Sequence, residues 1–201
     1  MFCGASSGRG LAYGEAARAF GVALAGRGLG VVYGGGRVGL MGTLADAALA
    51  AGGEVVGVIP RELVDRELAH DGLTQLHVVG SLHERKALMA ELADGFVALP
   101  GGFGTLDELL EQLTWSQLGL HAKPIGLLDV EGYWRPLIAL ARHATEEGFV
   151  READLRAIAI SDDPDALLDR LERLTREPRP RAKWSKPPPS GEPGSGLEPG
   201  S

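Results

Sequence analysis

The segment Val55-Val56-Gly57-Val58-Ile59 carries no polar side chain, whereas a strand with one solvated face would alternate apolar and polar residues. The run Val31-Val32-Tyr33 has the same continuous character. Such runs are typical of strands buried on both faces, as in a parallel sheet covered by helices on each side. The sequence therefore predicts that a parallel sheet forms the centre of the molecule.

Short apolar runs alternate with longer helical segments along most of the chain. The predicted strands are Met1–Gly4, Gly30–Gly34, Glu54–Ile59, Leu76–Val79, Gly95–Leu99, Pro124–Leu128 and Ala157–Ile160. The predicted helices span residues 11–27, 40–51, 82–93, 104–118, 133–147 and 164–175. This alternation implies right-handed crossovers and predicts the α/β class, with a doubly wound, Rossmann-like parallel sheet and helices on both faces.

The character of the sequence changes near Glu177, after which proline, glycine, serine and glutamate dominate. Such a segment buries too little apolar surface to offset the entropy of ordering it. We therefore expect one nucleotide-binding α/β domain over residues 1–176 and a disordered Pro/Gly/Ser-rich tail over residues 177–201. Trp184 and its basic neighbours could form a docking motif in that tail, but an inert tail is the favoured interpretation.

Charge and composition exclude several classes of protein. The formal net charge of -7 argues against binding a nucleic acid polymer, which needs a basic surface. Apolar runs are too short for a membrane span, and the N-terminus does not read as a secretory signal, so a cytoplasmic protein is expected. Cys3 is the single cysteine and is expected to be a small buried residue, and the dispersed histidines predict no metal site.

The strongest chemical signal is the segment Pro100-Gly101-Gly102-Phe103-Gly104-Thr105-Leu106-Asp107-Glu108, which follows one predicted strand and opens a helix. A glycine-rich turn lets backbone N–H groups approach an anion, and a helix start adds unpaired donors and partial positive charge. Thr105 could cap this helix or donate its hydroxyl group to a phosphate. The alternative is a tight strand-to-helix turn that binds no ligand.

The helix after this loop is predicted to have two different faces. Its apolar face is expected to hold Leu106, Leu109, Leu110 and Leu113. Its opposite face is expected to hold Glu108, Glu111, Gln112 and Trp115. Glu108 lies within about one turn of the loop, where the helix start favours the ionised carboxylate. A carboxylate beside a bound ribose can stabilise an oxocarbenium-like transition state or orient the attacking water; a solvated acidic face is the alternative.

Two further motifs accompany the loop. Arg85, in Leu82-His83-Glu84-Arg85-Lys86, offers a planar fork of donors suited to phosphate or ribose oxygens, although an exposed Arg–Glu pair is also possible. A second glycine turn, Gly34-Gly35-Gly36, leads toward Thr43. It does not have the G-x-G-x-x-G spacing after the first strand, so a dinucleotide site is not predicted.

Together these motifs resemble the Lonely Guy (LOG) family, the cytokinin riboside 5'-monophosphate phosphoribohydrolases. The family signatures are Arg-Lys, here Arg85-Lys86, and P-G-G-x-G-T-x-x-E, here Pro100–Glu108. The resemblance covers roughly residues 2–175 and includes the stretches Phe2–Ser7, Gly34–Gly42, Val58–Pro60 and Leu113–His121. Departures are Phe103 in place of the usual tyrosine, Asp107 in place of glutamate, and a short N-terminus, which means either an abbreviated first strand or a start downstream of the natural one.

The resemblance implies hydrolysis of the N-glycosidic bond of an adenosine 5'-monophosphate, with or without an N6 substituent, giving free cytokinin or adenine base and ribose 5-phosphate. It implies Arg85 and Glu108 as the catalytic pair, no metal or organic cofactor, and a homodimer or higher homo-oligomer with subunit contacts near the glycine loop. The substrate-binding residues expected on this basis are Ser7, Gly35, Thr43, Glu67, Lys86, Gly101, Gly102, Gly104, Thr105, Asp107, Glu111 and Thr114.

Two other functions stay open at this stage. The same fold could hold a nucleotide or a nucleotide-linked cofactor without cleaving it, as carrier relatives do, or act as a nucleotide sensor whose tail recruits a partner. Glu108 favours catalysis, because a pure binder gains little from an acid beside an anion. Relatives have often been labelled lysine decarboxylases, but a pyridoxal-phosphate enzyme needs a Schiff-base lysine with supporting contacts, and Lys86 is better explained by the Arg-Lys signature.

Overall fold

A computed structural model describes residues 1–64, 66 and 69–177. Within these residues the strands are β1 (Val31–Tyr33), β2 (Val55–Pro60), β3 (Gln75–Val79), β4 (Phe96–Ala98), β5 (Ile125–Leu128) and β6 (Ile158–Ser161). The helices are α1 (Leu11–Gly26), α2 (Gly39–Ala50), α3 (Leu82–Leu92), α4 (Phe103–Leu118), α5 (Arg135–Glu146), α6 (Glu152–Arg156) and α7 (Pro164–Arg176). Short 3₁₀ turns lie at Arg61–Leu63 and Val130–Gly132.

All strand pairs are parallel, in two three-stranded sheets of order β1-β2-β3 and β4-β5-β6. The first residues of the chain lie between the two sheets. Phe2 forms a parallel bridge with Ala98, and the Met1 nitrogen donates a hydrogen bond to the Val32 carbonyl oxygen of β1 at 2.6 Å. The α/β fold and its parallel sheet confirm the predicted class.

Alternation along β4 explains why this strand is apolar at every position. Phe96 and Ala98 pack into one core cluster, while Val97 and Leu99 pack into the other. Successive side chains of a strand point to opposite faces, so a sheet with helices on both faces needs apolar residues throughout. Helices α1, α2 and α7 contribute to the first cluster, and α3 and α4 contribute to the second.

Most predicted elements agree with the structure to within two residues at each end. The prediction of a strand at Met1–Gly4 is wrong. Only the Phe2 bridge forms there, and the Gly4 N–H already donates to the Pro100 carbonyl oxygen. Helix α6 was not predicted; at five residues it is too short to show a periodic pattern. Of the tail predicted over residues 177–201, residues 178–201 lie outside the described part of the chain.

Candidate active site

A cavity of about 440 Å³ opens where the first segment and β4 end, at the carboxyl edge of the parallel strands. Ligands of doubly wound sheets bind at this edge. The residues that line it come from six parts of the chain: the loop after Phe2, the first turn of α1, the start of α2, the side chain of Arg85, the glycine loop with the first turns of α4, and the turn after β5. The lining includes Ser7, Arg85, Gly101, Gly102, Gly104, Thr105 and Glu108.

The glycine loop places the start of α4 against this cavity. Gly102 is the N-cap, and no side-chain cap is present, so the first N–H groups of the helix are open to a ligand. Thr105 is buried inside the first turn; it therefore does not cap the helix, although capping was one expectation from the sequence. A Cβ on Gly101 would lie 2.1 Å from the Thr105 hydroxyl oxygen and 2.8 Å from the Gly4 nitrogen. Only glycine lets the two loops approach this closely.

Arg85 is buried, with 7% of its surface exposed, and its guanidinium group is fixed by the ends of two strands. Its Nε donates to the Val58 carbonyl oxygen at 3.2 Å, and a terminal nitrogen donates to the Gly34 carbonyl oxygen at 2.9 Å. A Cβ on Gly34 would lie only 1.9 Å from that terminal nitrogen. Arg85 can therefore occupy this position only because residue 34 is glycine. In the sequence, this glycine is the first of the Gly34-Gly35-Gly36 turn.

Glu108 lies half-buried, six residues beyond the cap of α4, and lines the same cavity as Arg85. Cys3, also in the lining, experiences the charges of both residues. Burial raises the pKa of the Cys3 thiol to about 12; the N-terminal ammonium group and Arg85 lower this pKa, and Glu108 raises it further. Cys3 is thus a neutral, buried thiol, as expected, beside an arginine and a carboxylate that face one space.

Three of the expected binding residues form an ion-pair cluster outside the cavity lining. Lys86 Nζ contacts Asp107 Oδ2 at 2.9 Å and Glu111 Oε1 at 3.0 Å. Burial lowers the pKa of Lys86, but its hydrogen bonds to Asp107 and Glu111 outweigh this effect, so the pKa lies above its ordinary value. The cluster joins α3, which carries Arg85, to α4, which carries Glu108.

Other expected binding residues lie away from the cavity. Gly35 has a φ of +78° and packs against Ile59, and the Thr43 hydroxyl donates to the Gly39 carbonyl oxygen at 3.0 Å. The Gly4 carbonyl oxygen accepts from the N–H groups of Leu40 and Met41, so the start of α2 is already occupied by the neighbouring loop.

Thr114 and Glu67 were also expected to bind the substrate. Thr114 donates to the Leu110 carbonyl oxygen and lines a different groove. Glu67 lies outside the described residues.

Sequence reasoning missed the aromatic part of the cavity wall. Tyr13 and Tyr133 both line it, with ring centroids 6.1 Å apart and an interplanar angle of 81°. Neither residue belongs to a motif, and Tyr133 is 32 residues from the glycine loop that it contacts. The Gly-Tyr-Trp sequence after Glu131, an aromatic pair directly after a turn, was the signal available.

A second, larger groove of about 580 Å³ lies between α4, α5 and α6. Its lining is mainly apolar and includes Leu110, Leu113, Leu137, Leu140 and Val150. A carboxylate in it, Asp154, is bound by Gln117 and Arg151. No lysine or arginine is among the described residues that line this groove, so it offers a nucleotide phosphate no counterpart to Arg85.

The predicted faces of α4 need correction at two residues. Gln112 is only 1% exposed, whereas Leu110 is 47% exposed and faces the second groove. Gln112 lies three residues after the buried Leu109, so both lie on the side of the helix that packs against the protein. The solvated polar face suggested for Gln112 is therefore wrong.

Within the described residues, no helix has the length and apolar character needed to cross a membrane. The same part of the chain brings no three His, Cys, Asp or Glu side chains into a metal-binding group. The fold and the cavity together define an α/β protein whose candidate site is built from a helix start, an arginine and a carboxylate.

Comparisons with known proteins give the family. Residues 41–171 match the family described as "Possible lysine decarboxylase". The cytokinin riboside 5'-monophosphate phosphoribohydrolase of Rhodococcoides fascians is 56% identical over 164 residues, covering 81% of this chain and 83% of the relative. The enzyme of that name from Arabidopsis thaliana is 44% identical over 172 residues, covering 86% and 81%. The chain belongs to this family, the Lonely Guy family of phosphoribohydrolases.

Solved structures share the fold at low sequence identity. The molybdenum cofactor binding protein of Rippkaea orientalis has a TM-score of 0.65 and 20% identity, covering 86% of this chain and 94% of that protein. The molybdenum cofactor carrier protein of Chlamydomonas reinhardtii has a TM-score of 0.65 and 19% identity, covering 87% and 95%. At such identities the likeness establishes the Rossmann-like fold alone.

Proposed function

We propose that this protein hydrolyses the N-glycosidic bond of an adenosine 5'-monophosphate, with or without an N6 substituent, and releases the base and ribose 5-phosphate. The observation that carries the proposal is that Arg85 and Glu108 line one cavity together with the uncapped start of α4. The named activity of relatives at 44% and 56% identity supports the same reaction.

The phosphate is proposed to bind at the start of α4, where Gly101, Gly102, Gly104 and Thr105 offer backbone and hydroxyl donors without a competing side-chain cap. Ser7 lines the facing wall and can add a further hydroxyl donor. Aligned peptide dipoles at the helix start favour the negative charge. An acidic protein can thus bind an anionic substrate through a local site.

The ribose is proposed to lie between Arg85 and Glu108. The bond between C1′ and N9 breaks with its electron pair leaving on the base, and a water oxygen bonds to C1′. One proton of that water is released to the leaving base, so the products are the neutral base and ribose 5-phosphate. Glu108 stabilises the positive charge that develops on the sugar, and removing such a group costs roughly 3–4 kcal/mol of barrier. Because Val58 and Gly34 fix the guanidinium plane, Arg85 can orient the substrate without reorganising.

The ion-pair cluster is proposed to hold α3 against α4 through Lys86, Asp107 and Glu111. It would thereby fix the position of Arg85 relative to Glu108. The described lysines do not suit decarboxylation by a pyridoxal cofactor. Lys86 is committed to two carboxylates outside the cavity lining, and Lys123 donates to the Ala90 carbonyl oxygen. The family description therefore does not give the activity of this chain.

A homodimer or higher homo-oligomer is proposed to form through the apolar face of α4 and α5. None of the α5 residues is buried, and Leu140 and Leu110 are 63% and 47% exposed. An exposed apolar surface of this kind is typical of a protein interface. We further propose a cytoplasmic protein with one nucleotide-binding domain over residues 1–176.

The test is product release from AMP and from isopentenyl-AMP, followed by chromatography of base and ribose 5-phosphate. The native protein is expected to release both products in equal amounts, and Glu108→Ala and Arg85→Ala are each expected to lose about two orders of magnitude or more. Binding without release of base from either substrate would instead support the alternative, a non-catalytic nucleotide-binding or carrier protein.

A further inference from the structure

Tyr133 connects the end of β5 to the glycine loop at the end of β4. Its hydroxyl group donates a hydrogen bond to the Gly101 carbonyl oxygen, and its ring lines the cavity. The backbone of this tyrosine is held by the turn before it, since its N–H donates to the Val130 carbonyl oxygen at 3.0 Å. Its ring lies edge-on to the buried Trp134, with centroids 5.1 Å apart. The hydroxyl group is thus presented to Gly101 from a fixed position.

The hydrogen bond acts on the peptide unit that joins Gly101 and Gly102. This unit is planar and trans, so its N–H points opposite to its carbonyl group. With the Gly101 carbonyl turned toward Tyr133, the Gly102 N–H must point in the opposite direction, away from the Tyr133 hydroxyl group. Neither of the two adjacent glycines carries a Cβ that would restrict the backbone dihedral angles, so the local backbone allows more than one orientation of this unit. An external hydrogen bond is therefore what selects one orientation.

The orientation matters because Gly102 caps α4 at the proposed phosphate site. In one orientation the peptide presents a donor to an anion; in the reversed orientation it presents a carbonyl oxygen, which repels it. Tyr133 also contacts the ring of Tyr13, and a Cβ on Gly8 would lie 2.8 Å from that ring. The aromatic pair therefore spans both loops of the cavity wall.

We infer that Tyr133 is a positioning residue for the 5'-phosphate: its hydroxyl group holds the Gly101–Gly102 peptide with the N–H available to the phosphate. The inference rests on the proposed nucleotide site and adds a requirement to it. Discrimination for a phosphorylated ribose depends on a side chain that lies 31 residues beyond the cap of α4. A loss of the hydroxyl group should weaken binding of phosphorylated ligands and spare the neutral nucleoside.

The test is Tyr133→Phe, which keeps the ring contacts with Tyr13 and Trp134 and removes only the hydroxyl group. Dissociation constants are measured by calorimetry for ribose 5-phosphate and for adenosine, with KM and kcat for AMP alongside. One hydrogen bond of ordinary strength corresponds to about a tenfold change in affinity. We expect Kd for ribose 5-phosphate and KM for AMP to rise about tenfold, with Kd for adenosine changed less than twofold and the thermal midpoint nearly unchanged.

Equal weakening for ribose 5-phosphate and adenosine would overturn the inference, because it would indicate a general structural role. Unchanged binding of ribose 5-phosphate would also overturn it, as would a native protein that does not bind this ligand. Failure of the proposed reaction is distinguishable, because the two binding measurements need no turnover. A native protein that binds ribose 5-phosphate but cleaves no AMP would refute the hydrolase proposal, while the Tyr133→Phe comparison would still decide the role of the hydroxyl group.

Discussion

Adding one methyl group at Gly34 should displace the proposed catalytic arginine. A Cβ there would lie 1.9 Å from a terminal nitrogen of Arg85, 2.9 Å from its central guanidinium carbon and 3.3 Å from Nε. Gly34 does not have a positive φ, so alanine meets no backbone strain at this position. The effect of Gly34→Ala is therefore steric and is directed at one side chain.

The magnitude follows from two hydrogen bonds that help to fix the guanidinium group, one to the Val58 carbonyl oxygen and one to that of Gly34. Hydrogen bonds from a charged donor contribute about 1.5–3 kcal/mol each. Losing both costs at least about 3 kcal/mol, which corresponds to a fall in kcat/KM of about two orders of magnitude. Gly34→Ala should thus approach the defect of Arg85→Ala.

The assay is a double-mutant cycle on AMP hydrolysis with Gly34→Ala, Arg85→Ala and the double variant. Because the added methyl group has space once the guanidinium group is removed, Gly34→Ala should cost less than about threefold in the Arg85→Ala background. Gly14→Ala is the matched control, since nothing lies within 4 Å of a Cβ there, and it should keep full activity. Nearly native activity of Gly34→Ala, or fully additive losses in the cycle, would refute the reasoning.

Three further predictions concern titratable groups. Because burial raises the pKa of Cys3 to about 12, a disulfide reagent at pH 8 should label the folded protein at least about a hundredfold more slowly than the unfolded chain; comparable rates would contradict the burial. Burial raises the pKa of Asp154, but the hydrogen bonds from Arg151 and Gln117 and the charge of Arg151 together lower it more. The pKa therefore lies below its ordinary value of 3.8, and the carboxylate stabilises the fold above that pH. Asp154→Asn should lower the thermal midpoint at pH 7 by about 2–4 °C, and the difference should disappear as the pH falls through the lowered pKa of Asp154. Lys86 has a raised pKa, so its ion pairs stabilise the fold below pH 10.5 and are lost as the pH rises above the folded pKa. Lys86→Met should therefore lower the thermal midpoint at pH 7 by a similar amount. An unchanged thermal midpoint would mean that the ion-pair cluster contributes nothing to stability.

Local sequence patterns were sufficient for most of the elements and for their order along the chain. The continuous apolar runs of β1 and β2 predicted strands buried on both faces, and the structure places Val55 and Val58 in opposite core clusters. The glycine loop was predicted to open a helix, and α4 begins at Phe103. These features depend on neighbouring residues, which a sequence shows directly.

Features that depend on distant contacts could not be predicted in the same way. Gly34 is needed because of Arg85, which is 51 residues away, and Tyr133 reaches Gly101 across 32 residues. Helix α4 has apolar residues on two sides, toward the core and toward the second groove, so a single apolar face misplaced Gln112. Such placements follow from tertiary packing rather than from periodicity.

The central claim is that the cavity cleaves its nucleotide and that Glu108 acts in the cleavage step rather than in binding. The most direct measurement is the Kd for AMP together with the rate of base release for native protein and Glu108→Gln, which keeps the shape of the side chain and removes its charge. The account predicts that Glu108→Gln binds AMP within a few-fold of the native protein and releases base at least about a hundredfold more slowly. Native release of base by Glu108→Gln, or native protein that binds AMP and releases none, would contradict it.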